Sequence, residues 1–63
     1  MNNYYAISLK IGSKYDTFRR RYIIRVVEEI NLYNGVLIIK VHNINDTESY
    51  YEYFNPDDKV FLH

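Results

Sequence analysis

The dipeptide Asn34-Gly35 constrains this chain more than any other feature. Asparagine and glycine both accept positive φ, and a type I′ turn requires that at its two central positions, where the backbone twist then matches that of two antiparallel strands. Residues 27–33 and 36–42 flank the pair and predict the two arms of a hairpin. The second arm opens Val36-Leu37-Ile38-Ile39-Lys40-Val41 and is apolar on both faces. A strand with one face in water would alternate, so a second covering surface is expected. Self-association through Val36, Leu37, Ile38 and Ile39 is the simplest way to supply it, and a homodimer is predicted.

Around the hairpin the periodicity alternates between strand and helix. Residues 4–11 predict a strand, with Tyr5, Ile7, Leu9 and Ile11 on one face, ended by Gly12-Ser13. Ser13 followed by Asp16 resembles a capping box, and Tyr15, Phe18, Tyr22 and Val26 recur at helical spacing, so a helix is expected from Ser13 to about Arg25. A second capping pair, Asn45 and Glu48, precedes Tyr50, Tyr53 and Phe54 and predicts a short helix stopped by Asn55-Pro56. Residues 59–63 read as a closing strand. The resulting order, βαββαβ, is the ferredoxin-like α+β arrangement: two helices on one face of a four-stranded antiparallel sheet, in one domain spanning residues 1–63.

The residues also resemble a known family, the small ferredoxin-fold proteins that include the nuclease-like subunit of the CRISPR adaptation complex and its SinR-type relatives. The resemblance rests on Tyr5-Ala6-Ile7-Ser8, on Tyr15, and on Phe54-Asn55-Pro56-Asp57-Asp58-Lys59-Val60-Phe61. In nucleases of that family an aspartate near the end of the first strand binds a divalent metal, and the resemblance puts Lys10 at that position. An ammonium group repels a cation that a carboxylate would hold. The resemblance therefore implies the fold with its metal chemistry lost. Asp16 lies nearby, but at a helix start it serves as a cap.

Charge and composition narrow the function classes. Eight basic and eight acidic side chains balance. The first 32 residues, however, hold Lys10, Lys14, Arg19, Arg20, Arg21 and Arg25 against three carboxylates, and the remainder holds five carboxylates against Lys40 and Lys59. The absence of cysteine removes disulfides and thiolate zinc sites and suits a reducing cytoplasm. No stretch is long and apolar enough to span a bilayer. His42 and His63 form no ligand cluster, the serines lack a nucleophile elbow, and no phosphate loop exists. No catalytic residue, metal site or cofactor is assigned.

Two candidate contact surfaces remain. Arg19, Arg20, Arg21 and Arg25 fan out along the predicted first helix, and Glu48, Tyr51 and Glu52 form an acidic, aromatic patch on the second. Eleven of the residues are aromatic, eight of them tyrosine, which suits interfaces as well as cores. The expectation is a non-enzymatic protein-binding or regulatory module, of the kind a phage carries as a small inhibitor or anti-defence protein. The alternative is a nucleic-acid binder or residual metal-dependent nuclease that uses the arginines on phosphates.

Overall fold

The computed structural model describes residues 2–63 and places the hairpin where its turn chemistry demands. Asn34 and Gly35 take φ of 50° and 76° between β3 (Arg25–Tyr33) and β4 (Val36–Asn43). The other strands are β1 (Asn2–Tyr5), β2 (Lys14–Asp16), β5 (Ser49–Phe54) and β6 (Lys59–Leu62), with a single 3-10 turn at Ala6–Ser8. All are joined in one antiparallel sheet of order β1-β6-β2-β3-β4-β5. No α-helix occurs among the described residues. The ferredoxin-like α+β expectation is thus overturned by an almost wholly β architecture.

Both predicted helices fail for identifiable reasons. Over 49–54 the side chains alternate, with Tyr50, Glu52 and Phe54 turned inward and Ser49, Tyr51 and Tyr53 outward. A tyrosine-rich segment suits a half-buried pleated surface, so period two prevails over the i, i+3 coincidence of Tyr50 and Tyr53. The supposed cap at Asn45 is instead a turn in which the Glu48 N–H donates to Asp46 Oδ1 at 3.2 Å, an Asx geometry. Ser13 likewise caps no helix: its Oγ accepts from the Lys10 N–H in the tight turn that introduces β2. Gly12, at φ 89°, serves that turn, and Lys10 is an exposed turn residue.

The β3–β4 ladder slips by one residue at Glu28, where Val27 pairs with Val41 and Glu29 already pairs with Lys40. This bulge lets Val27 and Ile30, three apart in sequence, share the inner face, and bulges increase local twist and bend. The sheet does curl. β2 and β5 are separated by two strands, roughly 14 Å across a flat sheet at about 4.8 Å per step, yet the Tyr15 and Phe54 rings meet edge to face at 5.9 Å. Inside the curl Ala6, Leu9, Tyr15, Val27, Leu37, Ile39, Val41 and Val60 are buried, with Ile30, Tyr50, Phe54 and Leu62 packed on them. Each fully buried aliphatic side chain contributes about 1.5–3 kcal/mol.

Leu37 and Ile39 therefore face this chain's own core and are closed to a second copy, which corrects half of the predicted dimer surface. Only Val36 and Ile38 remain on the outer side of β4, cross-strand from Tyr33 and Tyr53 respectively. The curl accounts for the apolar inner face of β4, while Val36 stays exposed and Ile38 half-buried on its outer face.

Candidate functional site

The segment 17–24 that links β2 to β3 carries the arginine run, and it is an irregular loop rather than a helix. Asp16 fixes it. This carboxylate is fully buried and accepts from Arg21 Nε at 3.0 Å and from the Tyr22 backbone N–H at 2.6 Å on Oδ2, and from His63 Nε2 at 2.9 Å on Oδ1. Burial alone would raise its pKa. The hydrogen bonds from Tyr22, His63 and Arg21 outweigh that and hold it at about 2. The Tyr22 hydrogen bond also supports a backbone at φ 70°, a conformation costly for a bulky residue. On the outer face Phe61 is flanked by the Phe18 ring at 4.4 Å and the Arg21 guanidinium at 4.1 Å, a cation–π contact worth about 1 kcal/mol.

Arg21 is therefore committed to Asp16 and Phe61, whereas Arg19 and Arg20 are exposed. These two stand on the rim of a cleft of about 520 Å³ lined by Thr17, Phe18, Arg19, Arg20, Arg25, Glu52, Tyr53, Phe54, Asp58 and Lys59. One wall is the arginine loop, the opposite wall is edge strand β5, and the entry to β6 closes the third side. The cleft opens where the curled sheet brings its β5 edge towards the loop that follows β2. Four cations face two carboxylates there, so an excess of positive charge persists inside the site.

Arg25 is the unusual member of this group. It is an inward-facing residue of β3 and only 1 % exposed, a position that otherwise takes an aliphatic side chain. Its Nε lies 2.9 Å from Glu52 Oε1 on the inner face of β5. That N–H is not aligned with the oxygen, however, and neither Nε nor Nη1 has a hydrogen-bond acceptor among the described residues. The contact is an ion pair without a directed bond. Tyr15 donates its hydroxyl to the same Oε1 at 2.7 Å, and a carboxylate has lone pairs enough for both donors, so it is the direction of the Arg25 N–H, and not competition, that leaves it without a bond. Burial, reinforced by the hydrogen bond to Glu52 and its negative charge, pushes the Tyr15 hydroxyl well above its usual pKa, so it stays a donor.

The candidate residues therefore separate. Arg19, Arg20, Arg25 and Glu52 converge on the cleft; Arg21 does not. Glu48 sits in an exposed turn, and Tyr51 faces outward from β5 away from the core. One residue of each predicted contact surface meets the other within this chain, Arg25 with Glu52. Phe18 and Tyr22, which the helical spacing placed on one apolar stripe, are both exposed, Phe18 by 63 % at the cleft. Thr17, Phe18, Tyr53, Phe54, Asp58 and Lys59 escaped sequence reasoning as site residues. The only sequence signal for them was their aromatic and charged character.

A second polar group lies on the outer face, where Glu28 accepts from Ser49 Oγ at 2.6 Å and contacts His42 Nδ1 at 2.7 Å. Hydrogen bonds from Ser49 and then His42 lower the Glu28 pKa. The carboxylate stands between hydroxyl and imidazole, whereas a nucleophile–base–acid triad puts the imidazole in the middle, so the order is not that of a triad. No group of three or more metal-ligating side chains occurs among the described residues, and no helix there is long and apolar enough to cross a membrane. In comparisons with protein-family models, with curated proteins and with solved structures, nothing matches this chain.

Proposed function

We propose that this chain is a non-enzymatic protein-binding module working in a reducing cytoplasm, and that its partner docks across the cleft between the arginine loop and β5. The observation that carries this reading is the convergence of Arg19, Arg20, Arg25 and Lys59 with the rings of Phe18, Tyr53 and Phe54 around one concavity. Arginine and aromatic side chains are the groups enriched in the energetic centres of protein interfaces. Edge strand β5 adds backbone donors and acceptors on its outer side, because among the described residues β5 pairs with β4 alone.

Protein is favoured over nucleic acid as the partner. Overall charge is balanced, and Glu52 and Asp58 lie within the cleft itself, where they would repel a phosphate backbone. The test is affinity capture from nuclease-treated extract with the full chain and with its Arg19→Glu/Arg20→Glu variant. A protein retained by the parent and lost by the variant supports the proposal. Recovery that disappears with nuclease treatment overturns it in favour of nucleic acid, and equal recovery by the variant removes the cleft as the docking site.

A further inference from the structure

We infer that Arg25 is an anion anchor and that the cleft above it receives the carboxylate of an aspartate or glutamate in an extended segment of a partner protein. The inference rests on the reading of the cleft as a protein-docking site and names the group that enters it. Three observations converge. Arg25 is 99 % buried, forms part of the cleft lining, and has two N–H-bearing nitrogens, Nε and Nη1, without an acceptor among the described residues. A guanidinium presents five donors in a planar fork that matches a carboxylate, so the unmet donors define the chemistry of what completes them.

The second observation is that the chain's own carboxylate does not complete them: Glu52 Oε1 lies 2.9 Å from Arg25 Nε but off the N–H direction, and the hydrogen bond from Tyr15, itself packed in the core against Phe54, holds it in that orientation. The third is the surrounding charge: Arg19, Arg20 and Lys59 add cations beyond the single charge that Glu52 offsets on Arg25. A carboxylate offsets part of that excess and matches the planar Arg25 fork, and it brings half the charge of a dianionic phosphate against Glu52 and Asp58 in the same lining. The flank of the cleft is edge strand β5, with Tyr53 and Phe54 in the lining. An extended segment beside that edge carries its side chains past the arginine.

The Arg25 Nε–Hε group gives a direct readout by nitrogen–proton NMR on the full, uniformly labelled chain near neutral pH. The probes are a capped five-residue peptide with one central glutamate, the same peptide with glutamine, and inorganic phosphate, all at matched ionic strength. A saturable shift of the Arg25 signal with the glutamate peptide, at least tenfold weaker with glutamine, supports the inference. In Arg25→Met/Glu52→Gln, which removes both charges and keeps an acceptor for Tyr15, the shifts that the glutamate peptide causes at the Tyr53 and Phe54 backbone amides should weaken at least tenfold.

Three results overturn it. One is a peptide response at Arg19, Arg20 and Lys59 with Arg25 unmoved, which leaves the cleft as a docking site but removes the anchor. Another is tighter Arg25 binding of phosphate than of the glutamate peptide. The last is no response to any probe. Failure of the docking reading itself shows separately, as partner capture indifferent to Arg19→Glu/Arg20→Glu.

Discussion

Replacing Glu52 by glutamine removes one charge from the interior and nothing else of consequence, because the amide oxygen still accepts from Tyr15. What it leaves behind is Arg25, 1 % exposed, with no countercharge within reach. Breaking a buried ion pair from one side costs about 3–5 kcal/mol. The Glu52 side chain is 23 % exposed, so water partly screens the pair and the lower end, about 3 kcal/mol, is expected. A chain of 63 residues has a total stability of about 3–9 kcal/mol, so Glu52→Gln forfeits a third of it or more. With a urea slope of about 1 kcal/mol/M, the midpoint falls by about 3 M.

The reciprocal change, Arg25→Met, strands a carboxylate that can rehydrate, and costs less, about 1–2 kcal/mol. Arg25→Met/Glu52→Gln, which removes both charges and keeps an acceptor for the buried Tyr15 hydroxyl, returns to within about 1 kcal/mol of the parent, because no unpaired charge is left inside. Urea titrations followed by far-ultraviolet circular dichroism and tyrosine fluorescence measure all three. A loss below about 1 kcal/mol in Glu52→Gln would show that the Arg25 charge reaches solvent, and the reasoning about an isolated buried guanidinium would be refuted.

Asp16→Asn loosens three donors at once and lowers stability at pH 7 by about 2 kcal/mol. Because the folded carboxyl sits at about 2 against an ordinary 3.8, the stability it contributes is complete above pH 4 and drains away as pH falls toward 2. Thermal melts between pH 2 and 7 should show that acid slope in the parent and a flatter one in the variant. Gly35→Ala forces a Cβ onto φ 76° and costs about 1–2 kcal/mol, read from the urea midpoint, although nothing stands within 4 Å of the new methyl. Phe18→Ala removes the edge-to-face contact with Phe61 and costs about 1 kcal/mol of stability; partner retention on an affinity column should fall by at least tenfold.

What could be read from the sequence was what local chemistry decides. Asn34-Gly35 specifies its turn without outside help, and the hairpin formed as read. The strand at residues 59–62 also formed where its apolar run placed it. The other elements were obscured by polar residues that face inward. Tyr50, Glu52 and Phe54 line one face of a strand, but a glutamate in the middle breaks the apolar alternation by which strands are recognised. It is tolerated because Tyr15 and Arg25, 37 and 27 positions away, meet it.

Val27 and Ile30 are three apart because of the bulge at Glu28, which imitates helical spacing within a strand. The arginine run was visible as a contact surface, yet its shape was not: Asp16 organises the loop through Tyr22 and His63, and that depends on where β6 lies. The same holds for the family resemblance, whose short matches fall on the end of β1 and the 3-10 turn, on β2, and on the connection from β5 into β6. The fold it implied is not the one adopted.

The position of β6 has a consequence for how the molecule assembles. It is the sixth strand along the chain but lies between β1 and β2 in the sheet, so neither has its β6 neighbour until residues 59–62 arrive. The meander β3-β4-β5 needs only short connections and is able to form first. Joining β1 to β6 instead closes a loop of more than fifty residues, a pairing of Asn2 with Leu62 whose entropy must be spent before any contact rewards it. Folding is therefore expected in milliseconds to seconds rather than microseconds. During that interval the β3–β5 unit carries an uncovered inner face, and Arg25 stays hydrated until the final strand shuts the sheet around it.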